Sequence, residues 1–229
     1  MVSTYKIAHP QTGEPSPQID ALAYHTVGTP LARAIKRMFD VVLSFVGLIV
    51  VLPLFPLIAL AIRLDSKGPI FFRPRIIGWR GREFSAYKFR SMRADAFEAL
   101  LQNAEMLKQY QKNLKLVHDP RITPVGRFLR RTSLDELPQL INVLRGEMSL
   151  VGPRMLAELE LEKFGENRAR ILSVRPGMAG LWVASGRQSV SFERRLQLEL
   201  YYVNHWSLWL DLKCFVKTLI IAARMTGAH

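Results

Sequence analysis

Two adjacent acids, Asp135 and Glu136, stand in the run Arg130-Arg131-Thr132-Ser133-Leu134-Asp135-Glu136-Leu137-Pro138-Gln139. Carboxylates so placed could divide a covalent reaction between them, one attacking an electrophile while the other holds a metal. Mg²⁺ suits that division, because a hard cation takes oxygen ligands and bridges phosphates. The neighbouring arginines would keep an attacking aspartate ionised at neutral pH. A structural reading competes. Ser133 with Glu136 fits an S-x-x-E capping box, and acids in a first helical turn suit the helix dipole, so local pattern alone favours a cap. Pro138 has no amide hydrogen to give and predicts an irregular turn around Asp135.

Three further groups of residues suit phosphate chemistry, each with a bland counterpart. In Ser149-Leu150-Val151-Gly152-Pro153-Arg154 a Gly-Pro loop followed by arginine would offer backbone donors and a forked cation, though such turns are common. In Tyr87-Lys88-Phe89-Arg90-Ser91-Met92, alternation puts Lys88 and Arg90 on one face of a strand. The glycines of Arg175-Pro176-Gly177, Gly180-Leu181-Trp182 and Ser185-Gly186-Arg187 allow close backbone approach, and Arg187 could meet a nucleotide phosphate. Turn punctuation explains those glycines equally well. A single cysteine, Cys214, excludes an intramolecular disulfide and any cysteine-based zinc site. The histidines (His9, His25, His118, His205 and His229) lie too far apart for an HExxH-type metal motif.

These groups need a scaffold, and composition bounds it. With 229 residues, 49% hydrophobic and 22% charged, the chain can bury one core and is not disordered for most of its length. A net charge of +13 asks for a polyanionic partner: nucleic acid, phosphorylated small molecules or an anionic membrane surface. No RNP, helix-turn-helix or zinc-finger pattern supports nucleic acid. Residues 1–30, with Pro10, Pro15, Pro17 and Pro30, read as a flexible tail rather than a signal peptide.

Val41 to Ile62 runs 22 residues without a charge, enough for roughly 33 Å of helix. Pro53 and Pro56 interrupt it, and basic residues flank both ends: Arg33, Lys36 and Arg37 before, Arg63, Lys67, Arg73 and Arg75 after. A helix that enters a bilayer, bends at Pro53 and returns to the same side satisfies both facts; a kinked spanning helix is the alternative. Downstream, Pro69–Phe72 and Glu83–Phe89 predict short extended segments around a Gly78–Gly81 turn. Phe97 to Leu116 predicts one amphipathic helix, Leu137 to Leu144 a short one ended by Gly146, and Phe192 to Met225 helix. Trp206, Trp209 and Phe215 interleave there with Lys213, Lys217 and Arg224, as in an interfacial helix, although packing in a soluble core would also explain them.

In their order along about residues 33–226, eight segments resemble the bacterial sugar transferase family, the monotopic polyprenyl-phosphate phosphoglycosyl transferases. They are Lys36-Arg37-x-Phe39-Asp40, Gly68-Pro69-Ile70-Phe71-Phe72, Lys88-Phe89-Arg90-Ser91-Met92 and Asp119-Pro120-Arg121-Ile122-Thr123, then Ser133 to Gln139, Met148 to Arg154, Arg175-Pro176-Gly177 and Asp211-Leu212-Lys213. The resemblance implies an α+β, mainly helical monotopic membrane protein. It would comprise a tail (1–30), a proline-broken re-entrant helix (31–65) and a cytoplasmic catalytic domain (66–229) with short strands and interfacial amphipathic helices. The implied activity moves a hexose 1-phosphate from a UDP-sugar to undecaprenyl (polyprenyl) phosphate at the bacterial inner membrane, releasing UMP. By motif, Asp135 would be the nucleophile, Glu136 with Asp135 would hold Mg²⁺, and Lys88, Arg131, Arg154 and Arg187 would bind substrate phosphates. Partners implied are the UDP-sugar, the polyprenyl phosphate and a bilayer with anionic lipids, with no nucleic acid and a homo-oligomer left open. Where the family has serine before the kink proline this chain has Leu52, and Met155 replaces a second proline after Val-Gly-Pro-Arg. The extra transmembrane helices and cofactor-like domain of long members are expected to be absent. A catalytically inactive membrane-anchored scaffold is the alternative.

Overall fold

Helix α1 (Pro30–Val51) begins where the Thr29 hydroxyl accepts the Ala32 amide and Pro30 fills the first turn. Helix α2 (Leu54–Asp65) follows after Leu52-Pro53, and the pair is bent by 61°. Pro53 has no amide hydrogen for the Ile49 carbonyl and Pro56 has none for that of Leu52, so two rungs are missing at the bend. Proline geometry thus suffices without the serine. The structure, a computed structural model, describes residues 28–113, 116, 119–185 and 191–223, so the expected tail falls outside it up to residue 27. Among these residues no single helix is long and apolar enough to cross a membrane; α1 and α2 meet that criterion only together.

The amphipathicity of α1 is inverted. Its buried residues are Asp40 and Ser44, whereas Val42, Phe45, Val46, Ile49 and Val50 are exposed. Polar side chains inward and apolar ones outward is the pattern of a helix whose outer solvent is not water. The polar face is fastened to the domain. Lys36 Nζ donates to the Asp211 carboxylate at 2.5 Å and to the Val151 carbonyl at 2.9 Å. Arg37 donates to the carbonyls of Val143 and Leu144 at 2.7 and 2.9 Å. Asp40 accepts from the Ser149 hydroxyl at 3.0 Å and the Leu150 amide at 2.9 Å.

The expected extended segments form two antiparallel pairs: β1 (Phe71–Phe72) with β4 (Lys88–Phe89), and β2 (Arg75–Ile77) with β3 (Glu83–Ser85) around the predicted turn. The single helix expected from Phe97 onward is two, α3 (Ala96–Gln102) and α4 (Ala104–Asn113). Asn103 divides them because its side-chain oxygen accepts the Met106 amide at 3.0 Å and starts a new helix. Next come α5 (Pro124–Thr132), a 3₁₀ turn (Leu134–Gln139) and α6 (Leu140–Arg145), which ends at Gly146 with φ 80° as predicted.

Strand β5 (Ser149–Val151) is joined to its parallel partner β6 (Gly177–Ala179) by a crossover containing the short helices α7 (Glu158–Glu162) and α8 (Arg168–Ile171). After α9 (Leu181–Ala184), the helix expected from Phe192 to Met225 is also divided, into α10 (Phe192–Asn204) and α11 (Leu208–Ala223). Ser207 restarts the chain by accepting the Leu210 amide at 3.1 Å. On α11 the side chains of Trp209, Leu212, Val216 and Leu219 are exposed.

Two buried clusters hold these elements. The larger joins α6, β5, the crossover and α10 through Val143, Met148, Leu161, Tyr202 and Val203. The smaller joins α2 to β4 and α5 through Ile58, Ile62, Phe89 and Leu129, with Leu134 packed on it. Helix α2 is therefore seated directly against the segment that carries Asp135.

Candidate active site

Asp119-Pro120-Arg121-Ile122-Thr123 builds the platform under the acid pair. Asp119 takes Arg121 in a two-pronged pair at 2.8 and 2.7 Å, and the Thr123 hydroxyl caps α5 by accepting the Gly126 amide at 3.0 Å. Gly126 lies against β4's continuation so closely that a Cβ there would come within 1.9 Å of the Ser91 carbonyl oxygen. Gly126→Ala is accordingly expected to lower stability by about 1–3 kcal/mol, read as a drop in melting temperature in detergent. One turn on, Arg130 Nε donates to the Ser91 hydroxyl at 2.8 Å. Burial holds the Arg130 guanidinium below its ordinary value, and Asp135 and Asp119 oppose that.

Helix α5 ends at Ser133 in the left-handed conformation (φ 59°), and the chain enters the 3₁₀ turn. No capping box forms: the Ser133 side chain makes no cap bond, and the Glu136 amide instead reaches the Ser133 carbonyl at 3.2 Å. Pro138 inside this turn accounts for the absence of an ordinary helix start. The acids therefore do not serve the structural role that local pattern favoured. Glu136 pairs with Lys88 Nζ at 2.8 Å, while Asp135 is buried. Burial, then the charge of Glu136, push the Asp135 carboxyl up to about 6 against the pull of Lys88 and Arg130. Arg130 thus acts in the direction expected of a neighbouring arginine but is outweighed by burial: the group is ionised at neutral pH but poised, its charge only partly compensated.

Lys88 is aimed by Asn142, a fully buried residue on α6. Its side chain accepts the Tyr87 amide at 2.9 Å and donates to the Ser85 carbonyl at 2.8 Å, which fixes the approach to β4. From the far side comes Arg154, whose guanidinium lies 4.9 Å from the Trp182 ring centre. A shallow cleft connects Glu136, Gln139, Arg154, Trp182 and Glu199.

The Gly152-Pro153 loop departs from expectation. Its backbone donors are not free for phosphate, since the Gly152 amide bonds the Ala179 carbonyl at 2.9 Å and the Arg154 amide bonds Glu199 at 3.1 Å. The glycines serve close approach instead: a Cβ on Gly177 would come within 2.1 Å of the Gly152 nitrogen.

Residues 31–225 match the family described as bacterial sugar transferase. The chain belongs to the bacterial sugar transferase family. The undecaprenyl-phosphate galactose phosphotransferase of Salmonella typhimurium (strain LT2) is 43% identical over 202 residues, 86% of this chain and 42% of that protein. The exopolysaccharide production protein ExoY of Rhizobium meliloti (strain 1021) is 40% identical over 204 residues, 87% of this chain and 90% of that protein. The UDP-glucose:undecaprenyl-phosphate glucose-1-phosphate transferase of Escherichia coli (strain K12) is 36% identical over 226 residues, 95% of this chain and 46% of that protein. The chain spans somewhat under half the length of most such relatives and nearly all of ExoY.

Of the site residues expected from sequence, the structure brings Asp135, Glu136 and Lys88 together, with Arg154 and Glu136 on one cleft. Arg131 is exposed, one residue from the guanidinium that acts on Asp135, and Arg187 lies outside the described residues. Of the two arginines expected to act on Asp135, the structure assigns that role to Arg130, four residues from Gly126 and one from Leu129 on the buried face of α5. Sequence reasoning missed Asn142 and Glu199.

Glu199 is 2% exposed, and burial pushes its carboxyl up to about 7 despite Arg195 and the Arg154 amide, with Glu160 adding to the rise. Because the folded-state value exceeds the ordinary 4.5, the stability tied to the protonated form is complete below that pH and lost as pH rises through about 7. Glu199→Gln is expected to melt several degrees above wild type at about pH 8, the gap closing below about pH 4.5.

Proposed function

We propose that this chain is a phosphoglycosyl transferase. In this reading it moves a hexose 1-phosphate from a UDP-sugar to undecaprenyl phosphate and releases UMP. That is the opening membrane step of exopolysaccharide, capsule or O-antigen synthesis. The observation that carries the reading is Asp135: a buried, only partly compensated carboxylate flanked by Lys88–Glu136 and Arg130, on a turn that starts without a capping box. The names of the relatives, which specify undecaprenyl phosphate and galactose or glucose, support the two substrates.

The Asp135 oxygen attacks the β-phosphorus of the donor, the bond to the bridging oxygen breaks, and UMP leaves with that electron pair. The sugar phosphate is then an acyl phosphate on Asp135. A phosphate oxygen of undecaprenyl phosphate attacks the same phosphorus, giving the lipid diphosphate sugar and restoring the carboxylate. Arg130, Lys88 and Arg154 neutralise charge developing on the transferred group. No cluster of three or more metal-ligating side chains occurs among the described residues, yet Mg²⁺ needs only one or two carboxylates beside substrate phosphates. Glu136 with Asp135 supplies those, and the charge Asp135 retains fits a cation. When bound, Mg²⁺ would neutralise the diphosphate.

The exposed apolar faces of α1, α2 and α11, with basic residues on both flanks of the bend, support entry into and return from the cytoplasmic leaflet of the inner membrane. Anionic lipids suit the net charge of +13. The test uses UDP-hexose radiolabelled in the β-phosphate and, separately, in the uridine. Label from the first and not the second is expected to remain on the protein. Neither label on the protein, with no UMP released from any UDP-hexose, would leave the scaffold reading.

A further inference from the structure

The cleft wall beyond Glu136 is rich in buried polar atoms that nothing satisfies. Gln139 is fully buried, and neither its side-chain oxygen nor its nitrogen has a hydrogen-bond partner among the described residues. Glu199 uses one oxygen for the Arg154 amide and leaves the other without a partner, and the Trp182 indole nitrogen has none either. Behind them, Arg195 sits 5.1 Å from the Trp182 ring centre and donates to Glu160 at 3.1 Å, with Nε and Nη2 unmatched. Each such atom costs about 1–3 kcal/mol, and folded proteins carry few of them. Several along one cleft are a wall waiting for a ligand.

Their chemistry describes that ligand. A carboxylate oxygen, a primary amide and an indole N–H together offer acceptors and donors side by side. Hydroxyl groups, each of which both gives and accepts, match that mixture. The glycines and small side chains that share this lining, Gly152, Gly177, Ala179 and Gly180, leave the polar groups as its recognition features. Position agrees: Glu136 lines the same cleft, and in the proposed reaction the hexose is the group bonded directly to the attacked phosphate. The uracil lies a full UMP away.

We infer that Gln139, Trp182 and Glu199 form the subsite that reads the hydroxyls of the donor hexose and sets which sugar is transferred. The inference rests on the transferase reading above. The Trp182 indole packs against the guanidiniums of both Arg154 and Arg195 and makes no hydrogen bond of its own. The Glu199–Arg154 bond then links the sugar-reading carboxylate to an arginine placed for the phosphate.

The experiment measures UMP release by the purified full chain, wild type beside Glu199→Gln and Gln139→Leu. Donors are the best UDP-hexose and its monodeoxy analogues at the 2, 3, 4 and 6 positions. Gln139→Leu removes an unsatisfied buried amide and Glu199→Gln a buried charge, so both proteins should fold, and a purely structural role predicts unchanged kinetics. The subsite predicts that wild type loses about 10–100-fold in kcat/KM on at least one deoxy analogue. It also predicts that a variant lacking the partner treats that analogue and the parent alike, with inhibition by UMP unaltered. Unchanged ranking of all donors by both variants would overturn the inference, as would a parallel weakening of UMP inhibition, which would assign the wall to the nucleotide. Absence of UMP release by wild type from every UDP-hexose would instead overturn the transferase reading itself.

Discussion

Asp135→Asn is expected to reduce UMP release by about 10⁴-fold or more while the protein melts no lower than wild type. An amide keeps the shape of the carboxylate but cannot form the bond to phosphorus. It also has no charge to desolvate at a site where burial already pushes the carboxyl up to about 6, so stability should hold or rise. Label transfer from the β-phosphate should vanish with activity. Retention of wild-type turnover would remove Asp135 from the chemistry and leave its burial without a purpose. The combination of lost activity and retained stability distinguishes a nucleophile from a structural acid, because a cap or ion-pair residue would lose both together.

The second large effect is expected far from the chemistry. Asp211 accepts Lys36 at 2.5 Å, the Tyr202 hydroxyl at 2.6 Å and the Trp206 indole at 3.1 Å. Asp211→Ala leaves the Lys36 ammonium, 17% exposed, with the Val151 carbonyl alone. Breaking one side of such a pair costs about 3–5 kcal/mol, and thermal melting in detergent should drop by roughly 10 °C. Lys36→Met combined with Asp211→Ala should recover part of the loss, since the ammonium deprived of Asp211 is then gone and only Asp40 loses a neighbouring cation. Equal melting of the single and double variants would mean that the pair is not what fastens α1.

Much of this was legible in the sequence where one residue type dictates one geometry. Pro53 and Pro56 marked the bend, Gly146 the end of α6, and Pro138 the irregular turn under Asp135. The Gly152 loop was misread because its amides are claimed from far along the chain, Gly152 by the parallel strand at Ala179 and Arg154 by Glu199 on α10, and nothing local announces either pairing. The breaks at Asn103 and Ser207 were passed over because a polar residue on a periodic apolar face reads equally as a solvated position. Asn142 and Glu199 escaped because each looks like an ordinary helix-surface residue until the partner element buries it. Lys88–Glu136 joins residues 48 apart, so only their shared motif order, and no spacing rule, connected them beforehand.

The three clamps on α1, Lys36, Arg37 and Asp40, sit within five residues of one another and grip three separate parts of the domain. The first turns of that helix consequently move as part of the catalytic body. Beyond them the helix stays seated on the domain, for Ser44 is buried and Leu48 and Val51 pack on the larger core cluster. In the proposed orientation the protein thus sets its own draught. How far the nucleophile stands off from the lipid headgroups is written into where the bent pair is fastened, and a thicker or thinner bilayer would change what lies beyond the keel without raising or lowering the deck.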